Sequence, residues 1–160
     1  MILFLDFDGV LHPFFPRPDR SDEENQLFSY LPRLEVVLRE YGDWQIVIAS
    51  SWRENRPWER VIQAFSQDIA ARIVGGTPVI KPKEPPHSKH PRYDEVLAYL
   101  AVNDRVEATW IALDDDPRLY PADCPNLILC DDGFRDAEEV ALRAVMARNT
   151  PNRYAFVSES

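Results

Sequence analysis

Short apolar runs separated by helical patterns constrain the fold of this chain more than any other feature of its sequence. Runs rich in Val, Ile and Leu occupy residues 1–5, 45–49, 110–113 and 126–130, and each ends at an Asp, a Ser or a Cys; a weaker run lies at residues 72–74. Runs that are apolar throughout, rather than at every second residue, are typical of parallel strands buried on both faces.

Apolar residues at helical spacing fill the segments between these runs. They are Leu31, Leu34, Val37 and Leu38; Val61, Ile62 and Phe65; Val96, Leu97 and Leu100; and Val140, Ala141, Ala144 and Val145. The alternation of strand and helix predicts an α/β fold, a Rossmann-like three-layer sandwich with a central parallel sheet. Because 160 residues suffice for one compact core, we expect a single domain over residues 1–160.

Two proline-rich segments interrupt this alternation. The first spans residues 12–30 and contains Pro13, Pro16 and Pro18; the second contains Pro78, Pro82, Pro85, Pro86 and Pro91. Proline clusters of this kind indicate loops, and both segments are too short to form a separate domain.

Charge and cysteine content exclude some classes of partner and location. The 18 Lys and Arg against 27 Asp and Glu give a net charge of −9, which argues against broad binding of duplex DNA through phosphate neutralisation. Cys124 and Cys130 have neither metal-ligand spacing nor the density of a disulfide scaffold, so a reduced, cytoplasmic setting is expected. No apolar stretch approaches the ~20 residues needed to span a bilayer, so no membrane role is expected.

Polar residues follow three of the predicted strands directly. The first strand is followed by Asp6, Phe7, Asp8 and Gly9, the second by Ser50, Ser51, Trp52 and Arg53, and the strand at 110–113 by Asp114, Asp115 and Asp116. Ligands bind at the carboxyl ends of parallel strands, where these carboxylates would converge. Clustered carboxylates need a cation, and oxygen ligands favour Mg²⁺.

A magnesium site with an available carboxylate is suited to phosphoryl transfer. Asp6 is placed to attack phosphorus and form an aspartyl-phosphate, and Asp8 to exchange protons with the leaving oxygen and the hydrolytic water. Ser50 is a candidate to hydrogen-bond the phosphate. Arg53 is a candidate either for substrate contact or for a salt bridge to the acidic cluster.

Four segments carry a resemblance to a known family. FLDFDGVL at 4–11 resembles motif I of the haloacid dehalogenase (HAD) superfamily of phosphohydrolases, IVIASS at 46–51 resembles motif II, KHPRYDEVLAYL at 89–100 resembles motif III, and WIALDDD at 110–116 resembles motif IV. All four stand in family order. Within the superfamily, the chain looks most like the small phosphatase-type domains associated with RNA-repair proteins.

The resemblance implies roles for individual residues. Asp6 would be nucleophile and metal ligand, and Asp8 an acid/base that also binds metal through its backbone carbonyl. Asp114 and Asp115 match the metal-binding pair, and Mg²⁺ is the implied cofactor. Ser50 takes the motif II position, with Ser51 as the alternative if the strand is one residue longer.

Motif III leaves several basic residues open. Lys89 is closest to the expected distance before its helix and is favoured, whereas Arg92 lies nearer the helix, and Lys81 and Lys83 are also present.

The two proline-rich loops occupy the positions where family members insert caps. Neither loop can form a full cap domain, so the chain resembles the capless class, whose open sites often accept macromolecular phosphates. We therefore expect a phosphorylated substrate, either a small molecule or a nucleic-acid end, with His12, Phe14, Phe15 and Arg17 as plausible contacts. The oligomeric state is left open.

The alternative hypothesis is a non-catalytic phosphate-binding or receiver-like signalling module. Receiver domains carry paired acids after strand one and the phosphoacceptor after strand three, whereas here the acids follow strands one and four. Some polar residues favour structural roles: Asp116 before Pro117 as a turn or cap residue, and Asp131, Asp132 and Gly133 as a strand-to-helix turn. For Trp52 and Trp58, packing is favoured over stacking on a base.

Overall fold

The computed structural model describes residues 1–81 and 88–151. Within these two ranges, five parallel strands form one sheet in the order β3-β2-β1-β4-β5. They are β1 Ile2–Leu5, β2 Gln45–Ile48, β3 Ile73–Gly76, β4 Trp110–Asp114 and β5 Leu127–Leu129. All five lie at or within two residues of the predicted runs, so the predicted parallel sheet is confirmed.

Among the described residues, six α-helices and one short 3₁₀ helix accompany these strands. They are α1 Leu31–Glu40, α2 Trp52–Asn55, α3 Trp58–Ile62, α4 Gln67–Ala70, α5 Pro91–Val102 and α6 Asp136–Asn149, with the 3₁₀ helix at Pro117–Leu119. Pro91 begins α5 and a proline also lies in the first turn of α1, where the missing N–H breaks no helical hydrogen bond.

The sheet lies between two apolar layers. Leu3 and Leu5 of β1 face a core that includes residues of α1 and α6, whereas Ile2 and Phe4 face a second core that includes residues of α5. Because successive strand side chains point to opposite faces, an entirely apolar strand fills both cores. The Rossmann-like three-layer sandwich is therefore confirmed.

The helix predicted around residues 61–65 is divided. Three short helices, α2, α3 and α4, replace it, with Pro57 at the N-cap of α3 and Ser66 at the N-cap of α4. Proline restricts the residue before it to extended conformations, and Arg56 has φ −134° and ψ 149°. The result is a series of turns across the end of β2 rather than one continuous helix.

The apolar pattern predicted for α6 identifies the helix but not its buried face. Leu142 and Met146 are the buried residues of α6, whereas Val140 is 69% exposed. The face of α6 that packs against the core thus carries Leu142 and Met146, which are four residues apart and so lie on one side of the helix.

The first proline-rich loop is fixed at both ends. The Tyr30 N–H donates to the Leu11 carbonyl at 2.8 Å, and the Phe134 N–H donates to the Val10 carbonyl at 2.7 Å. Arg20, 6% exposed at its side chain, is ion-paired with Asp132 in the turn after β5. This loop is therefore held against the β5–α6 turn.

Some predictions fall on residues outside the described ranges. These are Lys83 and the prolines Pro82, Pro85 and Pro86 of the second loop, and residues 152–160 of the expected single domain. Across the two ranges that the structure describes, no helix combines the length and apolar character required to cross a membrane.

Candidate active site

Three aspartates meet where the central strands β1 and β4 end. Leu5 of β1 is paired with Leu113 of β4, and the Asp6 N–H donates to the Leu113 carbonyl at 3.1 Å. This register brings Asp6 beside Asp114 and Asp115, and each of the three offers a carboxylate oxygen within 4.8 Å of the others. The predicted convergence of these carboxylates is therefore observed.

The cluster carries more negative charge than its environment can easily hold. Burial, and then the neighbouring Asp6, raise the pKa of Asp114 to about 7, although Arg92 opposes the shift. Burial and Asp6 likewise raise the pKa of Asp115 to about 6. Such shifts mark buried carboxylates whose negative charge is not fully compensated. An all-oxygen donor set with this deficit fits a hard divalent cation such as Mg²⁺.

Asp8 has a different environment from the other acidic residues. Its Oδ1 lies 3.0 Å from His12 Nε2, and its Oδ2 accepts a hydrogen bond of 3.0 Å from the Trp52 indole N–H. Its carboxylate does not belong to the three-aspartate cluster. This is compatible with the expected metal contact through the Asp8 backbone carbonyl, which remains a prediction.

Within the part of the chain that the structure describes, Arg92 is the basic residue in contact with the carboxylate cluster. Its Nη1 lies 3.0 Å from Asp114 Oδ2 and 3.4 Å from Asp6 Oδ1. Although burial opposes the shift, the Asp6 and Asp114 charges raise the pKa of Arg92 further above its usual range. Lys89, the residue favoured from sequence, is exposed and does not line the cavity beside the cluster. The structure therefore brings Arg92, and not Lys89, to the carboxylates.

The two serines after β2 have unequal access to the site. Ser50 is fully buried, and its Oγ accepts a weak hydrogen bond of 3.4 Å from the Trp52 N–H. Ser51 is exposed and lines the same cavity as Asp6 and Asp8. Access thus favours Ser51, the alternative in the sequence analysis, for contact with a ligand.

Arg53 is occupied by the protein itself. Its guanidinium donates to the carbonyls of Ala49, Ser50 and Thr77 at 2.8 to 3.1 Å and to Glu95 at 2.7 Å. The side chain is only 5% exposed. These bonds tie the end of β2 to α5, so the geometry supports neither of the two contacts considered from sequence, the substrate or the acidic cluster.

The backbone at Gly9 is adapted to the carboxylate cluster. Gly9 has φ +75°, and a Cβ at this position would overlap the Asp115 carboxylate. Glycine is therefore required both by the conformation and by the close approach of Asp115.

A cavity of about 480 Å³ opens over these groups. It is lined by Asp6, Asp8, Phe14, Ser51, Arg92, Asp115, Asp116, Pro117, Arg118 and Leu119. A second cavity of about 180 Å³ shares Phe14 and Asp115 with it and adds Phe15, Arg17 and Asp132, among others. Phe14 and Phe15 are 59% and 72% exposed. Three of the predicted contacts, Phe14, Phe15 and Arg17, thus line cavities beside the cluster, whereas His12 is buried.

Two residues near the cluster were not predicted from sequence. The Tyr120 hydroxyl donates to Asp114 Oδ2 at 3.4 Å, and burial raises the pKa of Tyr120. Arg118 lines the larger cavity and is ion-paired with Asp116 at 2.8 Å. The available signal was the Asp-Pro-Arg sequence at 116–118, because a proline after the acidic run predicts a turn that returns the chain to the site.

The acidic residues assigned to turns have the predicted roles. The Asp116 side chain accepts a hydrogen bond from the Arg118 N–H and caps the 3₁₀ helix. Asp131 and Gly133 form a bridge in the turn after β5, and Gly133 has φ +91°. Both predictions are confirmed.

Comparison with known proteins supplies the family. The family model described as the HAD domain in Swiss Army Knife RNA repair proteins matches residues 2–138 of the 160-residue chain. The chain belongs to this HAD family. A search of curated proteins finds no match.

Membership in the HAD family agrees with the observed site. The match begins at β1, which carries Asp6 and Asp8, and extends into α6, so it includes all five strands. Family membership indicates a phosphohydrolase type of role, and the cluster of Asp6, Asp114 and Asp115 is compatible with metal binding.

Proposed function

We propose that this HAD domain is a Mg²⁺-dependent phosphatase that forms an aspartyl-phosphate on Asp6. The observation that carries the proposal is the junction of Asp6, Asp114 and Asp115 with Arg92 beside a cavity of about 480 Å³. A nucleophile, a candidate metal site and a fixed positive charge at one position are the components that phosphoryl transfer requires.

The first step transfers the phosphoryl group from the ester to the protein. An Asp6 carboxylate oxygen attacks phosphorus, the bond between phosphorus and the ester oxygen breaks, and its electron pair remains on that oxygen. Asp8 gives its proton to the leaving oxygen, which departs as an alcohol. Arg92, 3.4 Å from Asp6, stabilises negative charge on the transferred group.

The second step regenerates Asp6. A water oxygen attacks the phosphorus of the aspartyl-phosphate while Asp8 takes a proton from that water. The bond between phosphorus and the Asp6 oxygen breaks, and the electron pair returns to the Asp6 carboxylate, so inorganic phosphate is released. Asp8 is then protonated for the next cycle.

The donor set supports a bound Mg²⁺ ion. The carboxylates of Asp6, Asp114 and Asp115, together with the backbone carbonyl of Asp8, would hold it. When bound, the ion neutralises charge on the phosphate oxygens. The raised pKa values of Asp114 and Asp115 support this assignment, because burial and then the Asp6 charge raise them, and a bound cation would stabilise the ionised carboxylates against both effects.

We further propose a phosphorylated nucleic-acid end as the substrate. The family description refers to RNA repair proteins, and the exposed rings of Phe14 and Phe15 lie at the edge of the site. The cavity arginines Arg17, Arg92 and Arg118 are ion-paired with carboxylates. Such a surface has little free positive charge for an extended backbone, so recognition of a single terminal phosphate suits it better.

Hydrolysis of p-nitrophenyl phosphate with and without Mg²⁺ tests the phosphatase proposal. Wild type is expected to turn over with Mg²⁺ and to lose activity with chelator, and Asp6→Asn is expected to be inactive. Asp22→Asn, which alters an exposed acid outside the cluster, is the matched control and should keep full activity. Labelling of Asp6 by acetyl phosphate without turnover would instead favour the receiver-like module.

A substrate panel tests the proposal of a nucleic-acid end. Oligonucleotides with 3′- or 5′-terminal phosphates are expected to have a higher kcat/KM than phosphosugars, phosphopeptides or free nucleotides. A preference for a small phosphate ester would contradict this part of the proposal and leave the phosphatase assignment in place.

A further inference from the structure

His12 has a fixed hydrogen-bonding arrangement beneath the site. Its side chain is 3% exposed, and its Nδ1 accepts a hydrogen bond of 3.2 Å from the Phe28 N–H. A neutral imidazole with an acceptor at Nδ1 carries its proton at Nε2. His12 Nε2 therefore donates to Asp8 Oδ1, which lies 3.0 Å away.

Trp52 supplies the second donor to Asp8. The indole N–H can only donate, and it lies 3.0 Å from Asp8 Oδ2. The Trp52 ring packs edge-to-face against Phe7 and Phe28, with centroid distances of 5.6 and 5.2 Å. One face of the ring is covered by Arg56, whose guanidinium carbon lies 3.7 Å from its centroid. The indole is thus held in place by packing.

Phe28 contacts both His12 and Trp52 and has a strained backbone conformation. Phe28 has φ +62°, a left-handed conformation that is uncommon for a bulky residue. In this conformation its N–H reaches His12, while its ring contacts both His12 and Trp52. One residue of the first proline-rich loop thus contacts both partners of Asp8.

We propose that His12 and Trp52 are positioning residues that fix the Asp8 carboxyl group for proton transfer; this rests on the proposed phosphatase function. The Asp8 side chain is 32% exposed and would otherwise sample several rotamers. One fixed donor on each oxygen restricts rotation of the carboxyl group. Each oxygen keeps a second acceptor site for the transferred proton. The two residues act on the leaving group through Asp8 and contact no reacting atom.

A substitution can lower the rate by misplacing the acid or by damaging the whole site. The dependence of kcat/KM on the leaving group distinguishes these two effects. An alkyl ester needs protonation of its leaving oxygen, whereas p-nitrophenolate leaves readily without it. The value of kcat/KM reports only the steps through formation of the aspartyl-phosphate. The ratio of kcat/KM for an alkyl phosphate ester, the one in the substrate panel that wild type hydrolyses fastest, to that for p-nitrophenyl phosphate therefore measures the contribution of the acid. Both substrates are assayed on one preparation, so any inactive fraction cancels.

Four variants complete the experiment. Trp52→Phe removes the N–H but keeps an aromatic ring against Phe7 and Phe28, and Trp58→Phe is its control at another tryptophan, 38% exposed. His12→Asn keeps a polar atom near the Nδ1 position but is too short to reach Asp8. His12→Gln is the conservative variant, because its amide nitrogen can occupy the Nε2 position and donate to Asp8.

The expected results follow from these geometries. Trp52→Phe and His12→Asn should each lower the ratio about 10-fold or more, in keeping with the size of general acid catalysis. His12→Gln should restore most of the ratio, and Trp58→Phe should leave it unchanged. An unchanged ratio in Trp52→Phe and His12→Asn, with an active wild type, would overturn this assignment alone. An inactive wild type would overturn the phosphatase proposal and this assignment together.

Discussion

Gly9 lies against the carboxylate of Asp115, so closely that a methyl group on Gly9 would overlap it. Motif I therefore contributes more than its two aspartates, because its glycine makes room for the acid that follows β4. The position also requires φ +75°, so any side chain would both strain the backbone and displace the Asp115 carboxylate.

Gly9→Ala is expected to weaken Mg²⁺ binding at least about 10-fold, because Asp115 must move out of the cluster. Isothermal titration with Mg²⁺ measures this effect. Gly42→Ala is the matched control, since a Cβ there meets nothing within 4 Å and φ is not positive. Equal Mg²⁺ affinity in the two variants would contradict the close-approach argument.

Substitution of Arg92 is expected to distinguish it from Lys89 as the basic residue of the site. Arg92→Met leaves Asp6 and Asp114 without their positive partner, so kcat/KM should fall about 100-fold or more. Lys89→Met alters an exposed residue outside the cavity and should keep activity within about twofold. The reverse order of effects would return the motif III role to Lys89.

Mg²⁺ affinity is expected to rise with pH between about 5 and 8. The pKa values of Asp115 and Asp114 are raised to about 6 and about 7, so protons compete with the ion below these values. Titration with Mg²⁺ at several pH values measures the effect. An affinity independent of pH over this interval would argue against these two carboxylates as ligands.

The same carboxylates should make the metal-free protein less stable as pH rises. A carboxyl group whose pKa is higher in the folded state binds protons more tightly there, so its stabilising effect is present below about pH 4 and lost as pH rises through 6 to 7. At pH 8 without metal, the free energy of unfolding of Asp115→Asn should thus exceed that of wild type by about 1 kcal/mol, a figure discounted for the partial exposure of Asp115. Chemical denaturation with and without Mg²⁺ measures both effects. Higher stability of metal-free wild type than of Asp115→Asn would contradict this account.

Arg53 is expected to matter for stability. Arg53→Met leaves Glu95 with a buried, unpaired charge and frees several backbone carbonyls, so the free energy of unfolding should fall by about 3 kcal/mol or more. Urea denaturation measures it, with Arg60→Met as an exposed control. If Arg53→Met kept full stability but raised KM, Arg53 would be a substrate contact after all.

Phe14 and Phe15 are expected to bind the terminal base of a nucleic-acid substrate. Their rings are 4.7 Å apart and largely exposed. Stacking contributes about 1–3 kcal/mol per base, so the double alanine variant should raise KM for a phosphorylated oligonucleotide about 10-fold. KM for p-nitrophenyl phosphate serves as the internal control and should change little. An equal rise in KM for both substrates would mean that the two rings support the structure of the site and do not bind a base.

The sheet and the acidic cluster were predictable because their signals are local. Four of the five strands lie in runs rich in Val, Ile and Leu; Asp6 directly follows β1, Asp114 ends β4, and Asp115 directly follows β4. Parallel strands bring such positions together at the carboxyl ends of the strands, whatever the arrangement of the helices. The helix pattern was less informative, as at α6, where Val140 is exposed although it matches the apolar period.

The partners of the polar side chains depend on distances that no local pattern encodes. Arg53 follows the serines of motif II, yet its guanidinium is bound by Glu95, 42 residues further along the chain. The sequence predicts substrate contact for His12 and packing for Trp52, and it gives no sign that the two residues meet. The fold brings both to Asp8.

By itself, the sequence determined the parallel α/β fold, the edge of the sheet that holds the site, and the acids that gather there. The tertiary structure alone decided that Arg92 rather than Lys89 contacts those acids, that Ser51 rather than Ser50 reaches the cavity, and that His12 and Trp52 both lie within hydrogen-bond distance of Asp8. The physical reason is that strand periodicity depends on neighbouring residues, whereas a charge or hydrogen-bond partner depends on how separate elements pack.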